Sequence, residues 1–181
     1  MTPRSTAGWP ATLGSVFGKV LVANRGEIAV RVMRALREME IASVAVYSDV
    51  DRHALHVRMA DEAVHFGAAA SNESYLRGEK LVAAAHATGA EAVHPGYGFL
   101  SENADFAALC EREGLVFIGP SASAIEKLGS KTSARALAKK AGTPIPPGTE
   151  EALASAGQAI QIASEIGYPS LIGESACHMS I

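Results

Sequence analysis

The chain has 181 residues, nearly half of them apolar and few aromatic, with 17 glycines and a formal charge of −3 at neutral pH. That length suits one full domain and the start of a second, since domains commonly run to about 100–150 residues. So small a net charge, with no long run of like sign, excludes a surface built to grip a polyanion, and nucleic acid is not an expected partner.

Cys110 and Cys177 stand alone, in neither a paired nor a His/Cys-clustered spacing, so no disulfide framework or zinc site is expected and a reducing, cytoplasmic setting fits. No apolar stretch approaches the roughly 20 residues that span a bilayer. Residues 1–18 lack the apolar core of a secretory signal, and their single arginine is too little positive charge for an organelle transit peptide. They read as a flexible leader.

Lys19-Val20-Leu21-Val22-Ala23 is an apolar run ended by Asn24 and Gly26, the pattern of a buried strand. Over residues 27–39, Ala29, Val32, Met33, Leu36 and Met39 recur every three or four positions, the stripe of a helix lying on a sheet. A second strand over residues 43–48 is rich in β-branched and aromatic side chains, and a helical stretch over 54–60 follows it. The alternation continues with a strand near 63–66, a helix over 75–87, the strand Ala92-Val93, a helix over 102–113 and a strand over 115–118. Such alternation implies right-handed crossovers and an α/β fold with a doubly wound parallel sheet.

Helical segments over 122–128 and 132–141 come next, and Gly142-Thr143-Pro144-Ile145-Pro146-Pro147-Gly148 then breaks the pattern, which marks a domain boundary. A helix over 151–166 and a strand over 169–172 lie beyond it, too little to enclose a core of their own.

The turn Ala23-Asn24-Arg25-Gly26-Glu27 has one glycine where a dinucleotide site would carry GxGxxG, and Glu27 would oppose a bound phosphate, so NAD is disfavoured. Its plain reading is a helix start with Asn24 as N-cap and Glu27 completing a capping box, and a site role is the alternative. The segment His94-Pro95-Gly96-Tyr97-Gly98-Phe99-Leu100-Ser101-Glu102-Asn103 should lie at the carboxyl edge of the sheet, where open α/β folds bind ligands. A plain turn would explain Ser101 as a helix cap and Phe99 and Leu100 as anchors. It would give no reason for His94, Tyr97 and Glu102 to gather beside two glycines, which favours a ligand site.

The remaining histidines, His53, His56, His65, His86 and His178, carry no such pattern. Arg31, Arg34 and Glu38 share one helical stripe, either a solvated face with an Arg34–Glu38 pair worth about 0.3–0.5 kcal/mol, or a partner surface. Lys131 follows Gly129-Ser130, but Ala124 stands where a phosphate loop needs its first glycine, so a Walker motif is rejected and Lys131 is by spacing a helix-start lysine. Neither a catalytic residue nor a metal-ligand cluster is assigned.

Taken in order, ANRGEIAVRVMRA, AVYSDVDRHALHVRMADEA, AVHPGYGFLSEN, FIGPSASAIEKLGSKTSA and IGYP resemble the biotin carboxylase family over residues 19 to about 169. That family carboxylates biotin with ATP, bicarbonate and magnesium, and joins a Rossmann-like, pre-ATP-grasp domain to an ATP-grasp lid and body and a carboxyl-terminal domain. The resemblance implies a leader over 1–18, the Rossmann-like domain over 19–141, a linker over 142–148 and the beginning of the ATP-grasp lid over 149–181. It implies that Tyr97 and Gly98 line the place of biotin's ring with Glu102 close by, and that Lys131 reaches toward the nucleotide. Arg31, Arg34 and Glu38 match a homodimer interface, which raises the partner reading of their stripe.

After Pro169 the likeness breaks: Gly173 stands where the family has a nucleotide-contacting lysine, no glycine-rich loop follows, and Glu174 adds a negative charge. The expectation is that these residues act in ATP-dependent carboxylation only together with the remaining carboxylase domains and a biotin carboxyl carrier. By themselves they should be inactive and hold ATP, biotin and magnesium weakly. The alternatives are a non-catalytic dimerisation module and a generic nucleotide-binding domain.

Overall fold

The structure is a computed structural model that describes residues 17–129, 131–149 and 153–168, apart from the side chains of residues 131 and 132. It divides into two compact units, one up to Ala122 and one from Ser123 onward.

The first unit holds five strands: β1 (Lys19–Val22), β2 (Ala42–Ser48), β3 (Glu62–Gly67), β4 (Ala92–His94) and β5 (Val116–Phe117). Helices α1 (Gly26–Glu38), α2 (Leu55–Met59), α3 (Gly78–Thr88) and α4 (Ala104–Arg112) connect them, and α5 (Ala122–Leu128) starts at the unit's last residue and runs into the second unit. All pairings are parallel, in the order β3-β2-β1-β4-β5. The chain builds outward from β1 through β2 to β3, then crosses back to the other side of β1, so the winding reverses between β1 and β4. Val22 is level with both Ala45 and His94, which brings the carboxyl ends of three strands to one edge.

The alternation of side chains along the central strands divides the core in two. Val20 and Val22 of β1 and Ala45 of β2 pack with Ala29, Met33 and Leu36 of α1 on one face. Leu21, Val44, Val46 and Val93 pack on the other with Leu81 and Ala85 of α3 and Phe106 and Cys110 of α4. Helices on both faces explain why the strands read as continuous apolar runs. The doubly wound parallel α/β sheet expected from the sequence is the observed fold.

Several element ends differ from expectation. Helix α3 begins at Gly78, not at residue 75, because Tyr75 is wholly buried and its hydroxyl donates to Asp51 Oδ2 at 2.7 Å. Helix α4 begins at Ala104, and Asn103 rather than Ser101 caps it, its Oδ1 accepting from the Phe106 amide at 2.7 Å. The strand expected over 115–118 pairs only at Val116–Phe117.

In the second unit, α6 (Lys131–Lys140) is tied to the Pro/Gly stretch by Arg135, whose guanidinium donates to the carbonyls of Pro146 at 2.7 Å and Gly148 at 3.3 Å. Helix α7 (Ala156–Ile166) is shorter than the span 151–166 and is capped by Ser155, whose Oγ accepts from the Gln158 amide. None of its residues is buried. The strand expected over 169–172, the divergent segment after it, His178 and the leader up to residue 16 lie outside the described residues. Among those described, no helix is long and apolar enough to cross a membrane.

Candidate functional site

Where a doubly wound sheet reverses direction, the loops leaving neighbouring strands part and open a crevice at their carboxyl ends. Here those loops are the β1–α1 turn, residues 23–26, and the β4–α4 loop, residues 95–103. The ladder between the two strands runs into them, the Ala23 amide donating to the His94 carbonyl at 2.9 Å.

Asn24 fastens one loop to the other. Only 1% exposed, it donates through Nδ2 to the carbonyls of Pro95 at 2.7 Å and Tyr97 at 2.9 Å, and its Oδ1 accepts from the Arg25 amide. Two carbonyl acceptors on one side fix the orientation of the amide. The capping box is therefore corrected: Arg25 is the N-cap of α1 without a side-chain bond, because the Asn24 side chain is spent on the loop. Gly96 closes the same contact, with φ +68, and its amide donates to His94 Nδ1 at 3.0 Å.

A second contact holds the far side of the loop. Phe99, at φ +45, stacks on Tyr75 with ring centres 5.0 Å apart and planes 13° from parallel. The Arg25 guanidinium lies 5.4 Å from the Tyr75 ring centre and 5.6 Å from that of Phe99, and reaches Asp51 at 3.5 Å. Burial would raise the Asp51 carboxyl, but hydrogen bonds from Tyr75 and Ser48 and the charge of Arg25 outweigh it and hold it below the usual range. The same burial and the neighbouring Asp51 push the Tyr75 phenol well up, so it remains a donor. Arg25, Asp51 and Tyr75 were not singled out from the sequence as site residues. Their signal was an arginine and an acid at the ends of adjacent strands, which becomes legible once β1 and β2 are known to pair.

With its base and apolar flank so fixed, the loop exposes Tyr97 and Gly98. Tyr97 is 63% exposed, and its hydroxyl donates to Glu27 Oε1 at 3.0 Å, which raises the phenol above its ordinary value. Space beside Gly98 is open. Leu100 is buried, so the anchoring role of the apolar pair and the exposure of Tyr97 coexist. Glu102 is exposed on the turn before α4. His94 accepts from the loop, and burial lowers its tendency to take a proton.

Arg31, Arg34 and Glu38 are exposed and share one open groove of about 630 Å³ with Glu27, Val30 and Leu55, on the same helix that starts at the crevice. Lys131 is the first residue of α6, in the second unit, and its side chain lies outside those described. Among the described residues no group of three or more His, Cys, Asp or Glu side chains could hold a metal ion. Among the other described histidines, His65 Nε2 meets Asp49 at 2.7 Å, and His86 meets Glu113 at 3.8 Å.

Residues 16–125 match the family described as biotin carboxylase, N-terminal domain, and residues 130–178 match carbamoyl-phosphate synthase L chain, ATP binding domain. The chain is 55% identical over 154 residues to biotin carboxylase 1 of Bacillus subtilis, covering 85% of this chain and 34% of that protein. It is 51% identical over 161 residues to the propionyl-CoA carboxylase alpha chain of Ruegeria pomeroyi, covering 89% of this chain and 24% of that one. A solved biotin carboxylase domain dimer of the Hydrogenobacter thermophilus 2-oxoglutarate carboxylase, in complex with MgADP, ADP and bicarbonate, superposes with a TM-score of 0.75 at 50% identity. That superposition covers 84% of this chain and 34% of the solved one. The chain thus spans about a third or less of the length of these relatives.

Proposed function

Because the chain belongs to the biotin carboxylase family through its amino-terminal domain, we propose that it takes part in the ATP- and bicarbonate-dependent carboxylation of biotin, supplying the surface against which biotin's ring rests. The observation that carries this reading is the exposure of Tyr97 and Gly98 on a loop tied down on both flanks at the sheet's reversal point. The Tyr97 ring offers an apolar face to a bicyclic ring system, and the backbone at Gly98 can be approached closely because no side chain shields it. Glu102 adds a carboxylate on the same turn. Lys131, by the resemblance, supplies a cation toward nucleotide phosphates.

ATP cleavage depends on a metal and a cationic clamp around the transferring phosphoryl group. The described residues hold no carboxylate cluster fit for magnesium, so no step through that ion is assigned to them. The 181 residues by themselves should neither cleave ATP in response to bicarbonate and biotin nor hold those ligands tightly; they should work with the further domains of a carboxylase and a biotin carboxyl carrier. Choice of the carboxyl acceptor belongs to other parts of a carboxylase, as relatives of this stretch come from different ones. Cys110, buried and unpaired with its thiol pushed up to about 11 by burial, fits a reducing, cytoplasmic setting.

Titrating the chain with free biotin, followed by NMR, tests the surface: the amide signals of Tyr97 and Gly98 should shift, and Tyr97→Ala should abolish the response. Shifts confined to other regions would refute it. Bicarbonate-dependent ATP cleavage by the purified chain would refute the inactivity.

The groove that gathers Arg31, Arg34 and Glu38 favours a second role beside the first, pairing of two copies through α1. In sedimentation, the wild-type chain should show a concentration-dependent dimer that Arg34→Glu removes. An unchanged mass would end that reading.

A further inference from the structure

A buried asparagine that satisfies two carbonyls on a segment some seventy residues away is costly to keep unless the geometry it enforces matters. From the contacts of its side chain we infer that Asn24 is the positioning residue of the crevice: it sets the conformation of residues 95–98 and thereby how Tyr97 and Gly98 are presented. The inference rests on the biotin-surface reading for its purpose, but not for its geometry.

Three observations carry it. Both N–H groups of the Asn24 amide are used on the loop, one on Pro95 and one on Tyr97, the residues flanking Gly96. The third polar position, Oδ1, accepts from the Arg25 amide, so the side chain cannot rotate without losing every bond it makes. The loop lies directly on it: a Cβ at Gly96 would stand 2.8 Å from Asn24 Nδ2, so no side chain fits between residue 96 and the asparagine. The rest of the turn lacks a substitute, since the Arg25 guanidinium is engaged with Asp51, Tyr75 and Phe99 and the Glu27 carboxylate with the outer hydroxyl of Tyr97.

Asn24→Asp is the informative change because it preserves shape and reverses chemistry. An ionised carboxylate would face two carbonyl oxygens with no proton to share, and a protonated one would restore a single donor. At pH 7.5 the Gly96 and Ser101 amides of the variant should exchange roughly tenfold or more faster than in the wild type. The Leu115 amide, bonded to the Cys110 carbonyl away from the crevice, should be unaffected.

Acidification should then move the two proteins in opposite directions. The titratable and charged groups around this position include Arg25 and Glu27 on its own turn, Arg31 on α1 facing Tyr97, His94 and Tyr97 on the loop, and Asp51 and Tyr75 beyond Arg25. In the wild type, protonating His94 removes the acceptor of the Gly96 amide and loosens the loop. In the variant, protonating the introduced carboxylate supplies the missing donor and tightens it. Loop signals of the variant that match the wild type at pH 7.5, or that fail to move back toward it on acidification, would overturn the inference.

Should the variant not fold, the wild type answers alone. Its Asn24 side-chain N–H protons should resist exchange and show through-space contacts to Gly96, whereas rapid exchange with solvent would overturn the inference. Adding biotin to both proteins separates this inference from the reading it serves. A wild type silent to biotin removes the biotin surface, and the positioning role is then decided by the pH-reversible change alone.

Discussion

A methyl group added at Gly96 would stand 2.7 Å from Ile28 Cγ2, whereas one added at Gly98 would meet nothing within 4 Å. Both residues have φ near +68, at 68° and 69°, so they share the cost of placing an L side chain in the left-handed region, about 1–2 kcal/mol. Gly96→Ala must in addition displace both Ile28 and Asn24, which adds about 1–3 kcal/mol of overpacking. Urea unfolding should therefore show Gly96→Ala to be the more damaging substitution. Equal losses would mean that the loop is not held against the first turn. Phe99 sits at φ +45 without being a glycine, and the stack on Tyr75 helps to offset that strain. The sequence displayed two glycines and an aromatic as a bend with a purpose. That one glycine is crowded and the other open depends on residues about 70 positions away, which no local pattern reports.

At the scale of elements, periodicity located the helices and strands, and the errors fall at their ends, where single side chains decide. Ser101 has the residue type of a cap, but the loop is still turning there, its amide donating to the Gly98 carbonyl at 2.9 Å. The backbone becomes helical only after Asn103, whose side chain then accepts from the amide of Phe106, the third helical residue. Asn103→Ala should cost about 1 kcal/mol, and Ser101→Ala should stay within about 0.5 kcal/mol, in thermal unfolding of the two variants side by side. The opposite order would return the cap to Ser101. Tyr75 shows the same logic at α3: its apolar environment and its period suit a helix, yet its hydroxyl is committed to Asp51 across the sheet edge. The α1 stripe was legible as a face, and the groove beside it was not, because Leu55 of α2 forms the opposite wall.

For the molecule as a whole, alternation of strands and helices implied a doubly wound sheet but not which strand sits beside which. The order that puts β1 between β2 and β4 is what turns two separate sequence segments into one crevice, and it also buries one imidazole and half-buries another near that crevice. His56 is wholly buried on α2, its Nε2 3.4 Å from the Val46 carbonyl and its Nδ1 without a partner. Burial lowers its affinity for a proton, with the Val46 carbonyl and Asp51 opposing the shift and Arg25 adding to it. His94 is lowered by burial as well, and its Nδ1 must stay unprotonated to accept from Gly96. Above about pH 6.5, the ordinary histidine value, neither the folded nor the unfolded chain protonates these rings and both contributions are intact.

Below that pH the unfolded chain binds protons that the folded chain refuses, so stability falls with pH until the folded-state values are passed. Asp51 and Asp61, whose carboxyls are held below the usual range, lose their contributions only in a separate, more acid window below about pH 4. Melting temperature should accordingly be flat from about pH 8 to 6.5 and decline between about pH 6.5 and 5, above the window in which Asp51 and Asp61 are protonated. His56→Leu should make that decline shallower by removing one of the two rings, leaving the part due to His94. A melting temperature that stays level down to about pH 5 in the wild type would show that neither imidazole is kept neutral by the fold.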